Sequence, residues 1–232
     1  MSAMTPTTPL IVHHLNNSRS QRILWLLEEL GLPYEIVKYQ RNAQTMLAPP
    51  ELRQIHPLGK SPVVTVDGLT LAESGAIIET LVERYGDGRL APAPGSPEAV
   101  RYRYWLHYAE GSAMPPLLLK LIFGRIGSAK MPFFARPIAK GIVDKAMSGF
   151  IQPQIAQHLK FMEGELKDRD WFAGPEFSAA DVQLSFPLEA AQARGGLNAT
   201  DHPRLSDWLS RIHARPAYQR ALARGGEYAL LK

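Results

Sequence analysis

Glu73 and Ser74 stand together where a short strand-like run, Leu69, Thr70 and Leu71, gives way to a helical pattern. Serine at such a junction caps the helix by accepting from a free backbone N–H. The same helix end attracts anions, because its first amides point outward unpaired. A carboxylate beside it pairs with a cation. The dipeptide therefore offers one partner for each charge of a zwitterionic amino-acid head. Ser18 precedes another helical pattern, four residues ahead of Arg22, and is placed to cap it. Ser178 and Asp181 match the S-x-x-D capping box ahead of an apolar run, 182–188, and Asp181 reads as a folding residue.

Other chemistries are absent from the sequence. It contains no cysteine, which excludes a disulfide scaffold, a thiolate-ligated metal and a cysteine nucleophile of its own. His13 and His14 are adjacent, so on a strand they face opposite sides and cannot share a metal. The remaining histidines pair with no carboxylate at ligand spacing. No G-x-S-x-G, P-loop or G-x-G-x-x-G is present.

The elements that must position these residues fall into two sets. Leu10 to His13 forms a short β-branched run, 18–30 a helix with Ile23, Leu26, Leu27 and Leu30 on one face, and 34–39 a second strand. Gly31 and Pro33 stop the helix. Two strands joined by one such helix are parallel, with a right-handed crossover. Asp67-Gly68 between 62–66 and 69–71 is a two-residue hairpin signal, so these strands are antiparallel. A helix from Ser74 follows, with Ile77, Ile78, Leu81, Val82 and Tyr85 as its apolar stripe. The order βαβ-ββα predicts a four-stranded mixed sheet of thioredoxin-like type. Residues 87–97 are dense in Gly and Pro and read as a linker, which sets the domains at 8–86 and 98–232. The second domain is expected to be all-α, with helices over 98–124, roughly 135–167, 179–194 and 205–223, the last interrupted by Pro216. The pattern over 125–147 assigns no element.

Composition sets the class. With 232 residues, 45% hydrophobic and 21% charged, the chain is an ordinary globular one. A net charge of +4 with both signs interspersed is no nucleic-acid footprint. The longest apolar run, 114–123, contains Pro115, Pro116 and Lys120 and is about half the length of a membrane span. The N-terminus lacks the charged and apolar regions of a secretory signal. A soluble cytoplasmic protein is expected.

HPLGKSPVV at 56–64, LAESGAI at 71–77 and SAADV at 178–182 resemble, in order and spacing, the cytosolic glutathione S-transferase superfamily. LNNSRSQRILWLLEELG at 15–31 and YAEGSAMPPL at 108–117 look closest to a serine-type branch found in fungi and bacteria. The resemblance covers essentially the whole chain and implies glutathione as co-substrate with no metal. It implies a cis peptide bond between Ser61 and Pro62, with the backbone of Ser61 meeting the cysteinyl part of glutathione. Lys60 and His56, with Gln54 a weaker member, would meet the glycine carboxylate. Glu73 and Ser74 would hold the γ-glutamyl end. Ser18 would donate a hydrogen bond to the glutathione thiolate, and Asn17 is a rival donor. A thiol of pKa about 8.5 needs to fall by a unit or two, at about 1.4 kcal/mol each. A hydrogen bond to a charged acceptor supplies about 1.5–3 kcal/mol. Tyr104, Tyr108 and Phe123 would line the pocket for a small hydrophobic electrophile, and the resemblance implies a homodimer. The same thiolate serves a glutathione-dependent peroxidase equally well, and a non-catalytic ligand-binding member keeps the fold without needing Ser18.

Overall fold

The structure, a computed structural model, describes residues 5–42 and 44–231. β1 (Leu10–Leu15) pairs in parallel with β2 (Tyr34–Tyr39), and α1 (Ser20–Leu30) crosses between them. Gly31 takes the left-handed conformation that ends α1 (φ 67°), and Leu32 N–H reaches back to the Leu27 carbonyl. β3 (Val63–Val66) and β4 (Leu69–Ala72) form the antiparallel hairpin, with positive φ at both Asp67 and Gly68 as a two-residue turn of primed type requires. The sheet order is β2-β1-β3-β4, with β1 antiparallel to β3. This is the mixed thioredoxin-like sheet that the hairpin and crossover signals predict. Among the described residues between β2 and β3 lies one short helix, α2 (Leu52–Ile55), and α3 (Ser74–Tyr85) follows β4.

The rest of the chain is helical among the described residues: α4 (Pro97–Tyr108), α5 (Met114–Ser128), α6 (Arg136–Ala146), α7 (Gln152–Glu165), α8 (Ala179–Ala190), α9 (Pro203–His213) and α10 (Pro216–Gly225). Three turns of π-helix, 109–113, 147–151 and 191–195, join α4 to α5, join α6 to α7 and extend α8. Pro216 opens α10 rather than interrupting a longer helix. The proline lacks the N–H that a first-turn position leaves unpaired anyway. The unassigned stretch 125–147 resolves into the end of α5, an irregular turn and α6.

The core explains the spacing. Ile23, Leu26, Leu27 and Leu30 are buried, as are Ile77, Ile78, Leu81, Val82 and Tyr85 of α3. α8 is buried along its whole length and forms the centre of the second domain, against which α1, α3 and α4 pack. Its start is the capping box. Asp181, fully buried, accepts from the backbone N–H groups of Ser178 and Phe172, from Ser178 Oγ and from Trp208 Nε1, all at 3.0–3.1 Å. Asp181 is a structural joint between α8, α9 and the segment before them.

Candidate active site

The site forms where β1 ends. Ser61 Oγ donates to the His13 carbonyl at 2.8 Å and accepts from Leu15 N–H at 3.2 Å. These bonds pin the Ser61–Pro62 turn, whose peptide bond is cis, to the strand leading into the Asn17–Ser18 loop. The loop is held from its other flank by Arg41 N–H, which donates to Asn16 Oδ1 at 2.8 Å. Asn17 sits in the left-handed region (φ 50°), where asparagine is among the better-tolerated side chains. Its Oδ1 accepts from Ala229 N–H at 2.6 Å.

α1 begins at Ser20, two residues beyond the sequence expectation, and Ser18 lies in the approach to it. The Ser18 hydroxyl is buried, 2.7 Å from Ser20 Oγ, and accepts from Ser20 N–H at 3.2 Å. Ser20 Oγ in turn is 2.8 Å from His14 Nδ1. Burial lowers His14 to about 4, reinforced by Lys38 and opposed by a hydrogen bond to the Gly225 carbonyl. His13 faces away, toward the Tyr39 hydroxyl at 3.0 Å, as strand alternation requires.

The helix end at Glu73 and Ser74 is more elaborate than a cap. Glu73 is exposed, with φ 66°, and Ser74 is buried as the first residue of α3. Arg22, almost completely buried, donates through Nη2 to Ser74 Oγ at 2.7 Å and through Nη1 to the Gln183 carbonyl. The same Nη2 pairs with Glu110, whose carboxylate also takes Arg19 Nε at 2.9 Å. Burial raises the Glu110 carboxyl, but Arg22 and Arg19 outweigh it and hold the group below its ordinary value. A hydroxyl that accepts from a guanidinium keeps its own proton to donate. Ser74 is thus a donor at a helix N-terminus with a cation directly behind it, a setting suited to a carboxylate. Glu73 beside it suits an ammonium.

The other residues singled out in the sequence are spread more widely. Lys60 and Gln54 are exposed and His56 half-buried, on the segment leading to the cis turn. Tyr104 is exposed and stacks on Tyr108 with ring centroids 5.5 Å apart. Tyr108 is buried, its hydroxyl paired with His158 Nδ1 on α7, and burial pushes its pKa up. Phe123 is half-buried against the core. Besides Ala229, the groups that adjoin the Ser18 loop from the second domain are Glu110 and Phe186, with the Arg19 guanidinium 5.0 Å from the Phe186 ring centre. Arg22, Glu110, His14, Ser20 and Phe186 were not anticipated. Arg22 carried a signal, since it lies one turn before Leu26 on the apolar face of α1. Glu110 lies in the 108–117 motif, but nothing there showed that it faces Arg22, because a π-helical turn sets its direction.

Among the described residues no three His, Asp or Glu side chains gather as metal ligands would, and no helix is long and apolar enough to cross a membrane.

Family models for the glutathione S-transferase N-terminal domain and C-terminal domain match residues 10–83 and 140–216. Glutathione S-transferase 1 of Saccharomyces cerevisiae is 36% identical over 89% of this chain and 91% of its own length. The chain belongs to the glutathione S-transferase family of enzymes. Among solved structures of that family, a glutathione S-transferase from Actinobacillus pleuropneumoniae superposes with a TM-score of 0.80 at 33% identity, covering 96% of each chain. A sphingomonad glutathione S-transferase solved as a complex with glutathione gives 0.68 at 25% identity, covering 93% of this chain and 98% of its own.

Proposed function

We propose that the protein transfers the glutathione thiolate to small hydrophobic electrophiles. One observation carries this reading: Arg22 donating to Ser74 at the N-terminus of α3 makes a carboxylate site, with Glu73 beside it for the ammonium of a γ-glutamyl group. The backbone at Ser61, before cis Pro62, meets the cysteinyl unit by strand-like pairing. Lys60 and His56 meet the glycine carboxylate. The sulfur then lies at the Asn17–Ser18 loop, whose hydrogen bond keeps it ionised. Its lone pair forms the bond to carbon as the leaving group departs or a strained ring opens, and the thiol proton passes to water.

In this reading residues 8–86 hold glutathione, 87–97 link, and 98–232 supply an apolar wall that includes Tyr104, Tyr108 and Phe123. The enzyme works as a cytoplasmic homodimer. Exposed Leu118, Ile122 and Ile126 on α5 and Ile138 and Ile142 on α6 give a second copy an apolar face to cover.

Calorimetry with glutathione, followed by turnover of an aryl halide, an epoxide and cumene hydroperoxide, tests the reading. Binding with conjugation supports it. Binding with hydroperoxide turnover alone makes the protein a peroxidase, and binding without turnover makes it a ligand-binding member. Absence of glutathione binding overturns it.

A further inference from the structure

The loop carrying Asn17 and Ser18 is closed by the far end of the chain. After α10 the backbone turns at Gly226 (φ 94°) into a short 3-10 turn, Ala229–Leu231. Ala229 N–H, the first amide of that turn, donates to Asn17 Oδ1 at 2.6 Å. The residue before it is a buried peg: Tyr228 gives its hydroxyl to Glu189 Oε2 at 2.6 Å, and Tyr218 meets the other oxygen of that buried carboxylate at 2.6 Å. The peg holds the Ala229 amide in register with Asn17.

This contact fixes the asparagine. Only Oδ1 can accept from a backbone N–H, so the amide has one orientation and Nδ2 keeps both of its N–H donors. Among the described residues Nδ2 has no protein acceptor. Ser18 is disposed in the opposite way. Burial favours neutral His14, whose Nδ1 lies 2.8 Å from Ser20 Oγ. The Ser18 hydroxyl is buried, 2.7 Å from Ser20 Oγ and accepting from Ser20 N–H, so the partners it has lie inside the protein. Of the two donors on the loop, the hydroxyl is turned into the protein and the amide is left for an outside acceptor.

We propose that the C-terminal turn is part of the thiol-activating site: the Ala229 amide orients Asn17, and Asn17 supplies the hydrogen bond to sulfur. Ala229 is a positioning residue and Asn17 the catalytic one, while Ser18, Ser20 and His14 brace the loop from beneath. The proposal rests on the glutathione reading above.

Ala229→Pro tests it, because it deletes one N–H at the first position of a helical turn, where proline is tolerated. The pH–rate profile with an aryl halide should move to higher pH by about half to one unit, with the rate at pH 6.5 falling about three- to ten-fold. The KM for glutathione should stay within about two-fold and the melting temperature near that of the parent, because the contacts to both ends of glutathione remain. Asn17→Ala should fall at least as far, and the double variant no further, since the two residues act as a unit. Asn17→Asp keeps the acceptor for Ala229 but loses both donors, so it should lose as much as Asn17→Ala; it decides the matter if the proline variant does not fold. An unshifted profile for a folded Ala229→Pro, additive losses, or a parent-like Asn17→Asp would overturn the proposal. If the parent protein binds no glutathione the underlying reading falls; if it binds and turns over while these variants leave the profile in place, only this inference falls.

Discussion

The guanidinium of Arg22 donates to the Ser74 hydroxyl at 2.7 Å and, through the same nitrogen, pairs with Glu110. One buried cation on α1 thereby joins the start of α3 to the π-helical turn after α4. Arg22 cannot shed its charge, so Glu110 is what makes its burial tolerable.

Replacing Glu110 by Gln should therefore destabilise the fold by about 2–4 kcal/mol, the scale for leaving a buried charge without its partner. It should also raise the KM for glutathione, as Arg22 shifts away from Ser74. Denaturant unfolding beside steady-state kinetics checks both. Unchanged stability would mean that Ser74 and the Gln183 carbonyl suffice to hold Arg22.

Glu73→Gln leaves the backbone and the side-chain shape alone and removes the charge that would face the γ-glutamyl ammonium. Glutathione binding should weaken by about 1.5–3 kcal/mol in calorimetry, the scale of a hydrogen bond to a charged group. Parent-like affinity in a folded variant would remove Glu73 from the site.

Asp181 gives a pH-dependent prediction. Burial raises its carboxyl to about 6 from an ordinary 3.8, against the pull of four donors. A folded-state value above the unfolded one means that the folded protein holds the extra proton between about pH 4 and 6. The contribution of Asp181 is therefore greatest below that window and falls as pH rises through it. Asp181→Asn should be less stable than the parent at every pH, because its amide N–H groups oppose the donors of Ser178. The gap should widen by on the order of 2–3 kcal/mol from pH 7 to pH 4, measured by denaturant titration. A gap independent of pH would contradict the assignment.

The parts of this molecule legible in its sequence are those set by local chemistry. Asp67-Gly68 read as a hairpin because few other pairs accept positive φ at both positions. Gly31 read as a helix end, and Ser178 with Asp181 as a helix start, for equally local reasons. What escaped is set by the tertiary environment. Periodicity places Tyr108 on a helix, but the following π-helical turn decides what each face of that helix meets, and Tyr108 meets His158. The turn between α5 and α6 exposes Phe133 and Phe134, so no apolar stripe marked it. Ser18 reads as a cap because caps are local, whereas its hydroxyl is claimed by Ser20. Nothing in the sequence couples Asn17 to Ala229, which only the folded chain brings together.

The central claim is that this chain lowers the thiol pKa of bound glutathione through its Asn17–Ser18 loop. An ultraviolet titration of the thiolate in the glutathione complex reads that value directly. It should lie at least about one unit below the 8.5 of a free thiol and return most of the way in the Asn17→Ala/Ser18→Ala double variant with glutathione still bound. A bound thiol that ionises as it does in water, or a lowered value that the double variant leaves in place, would contradict the claim.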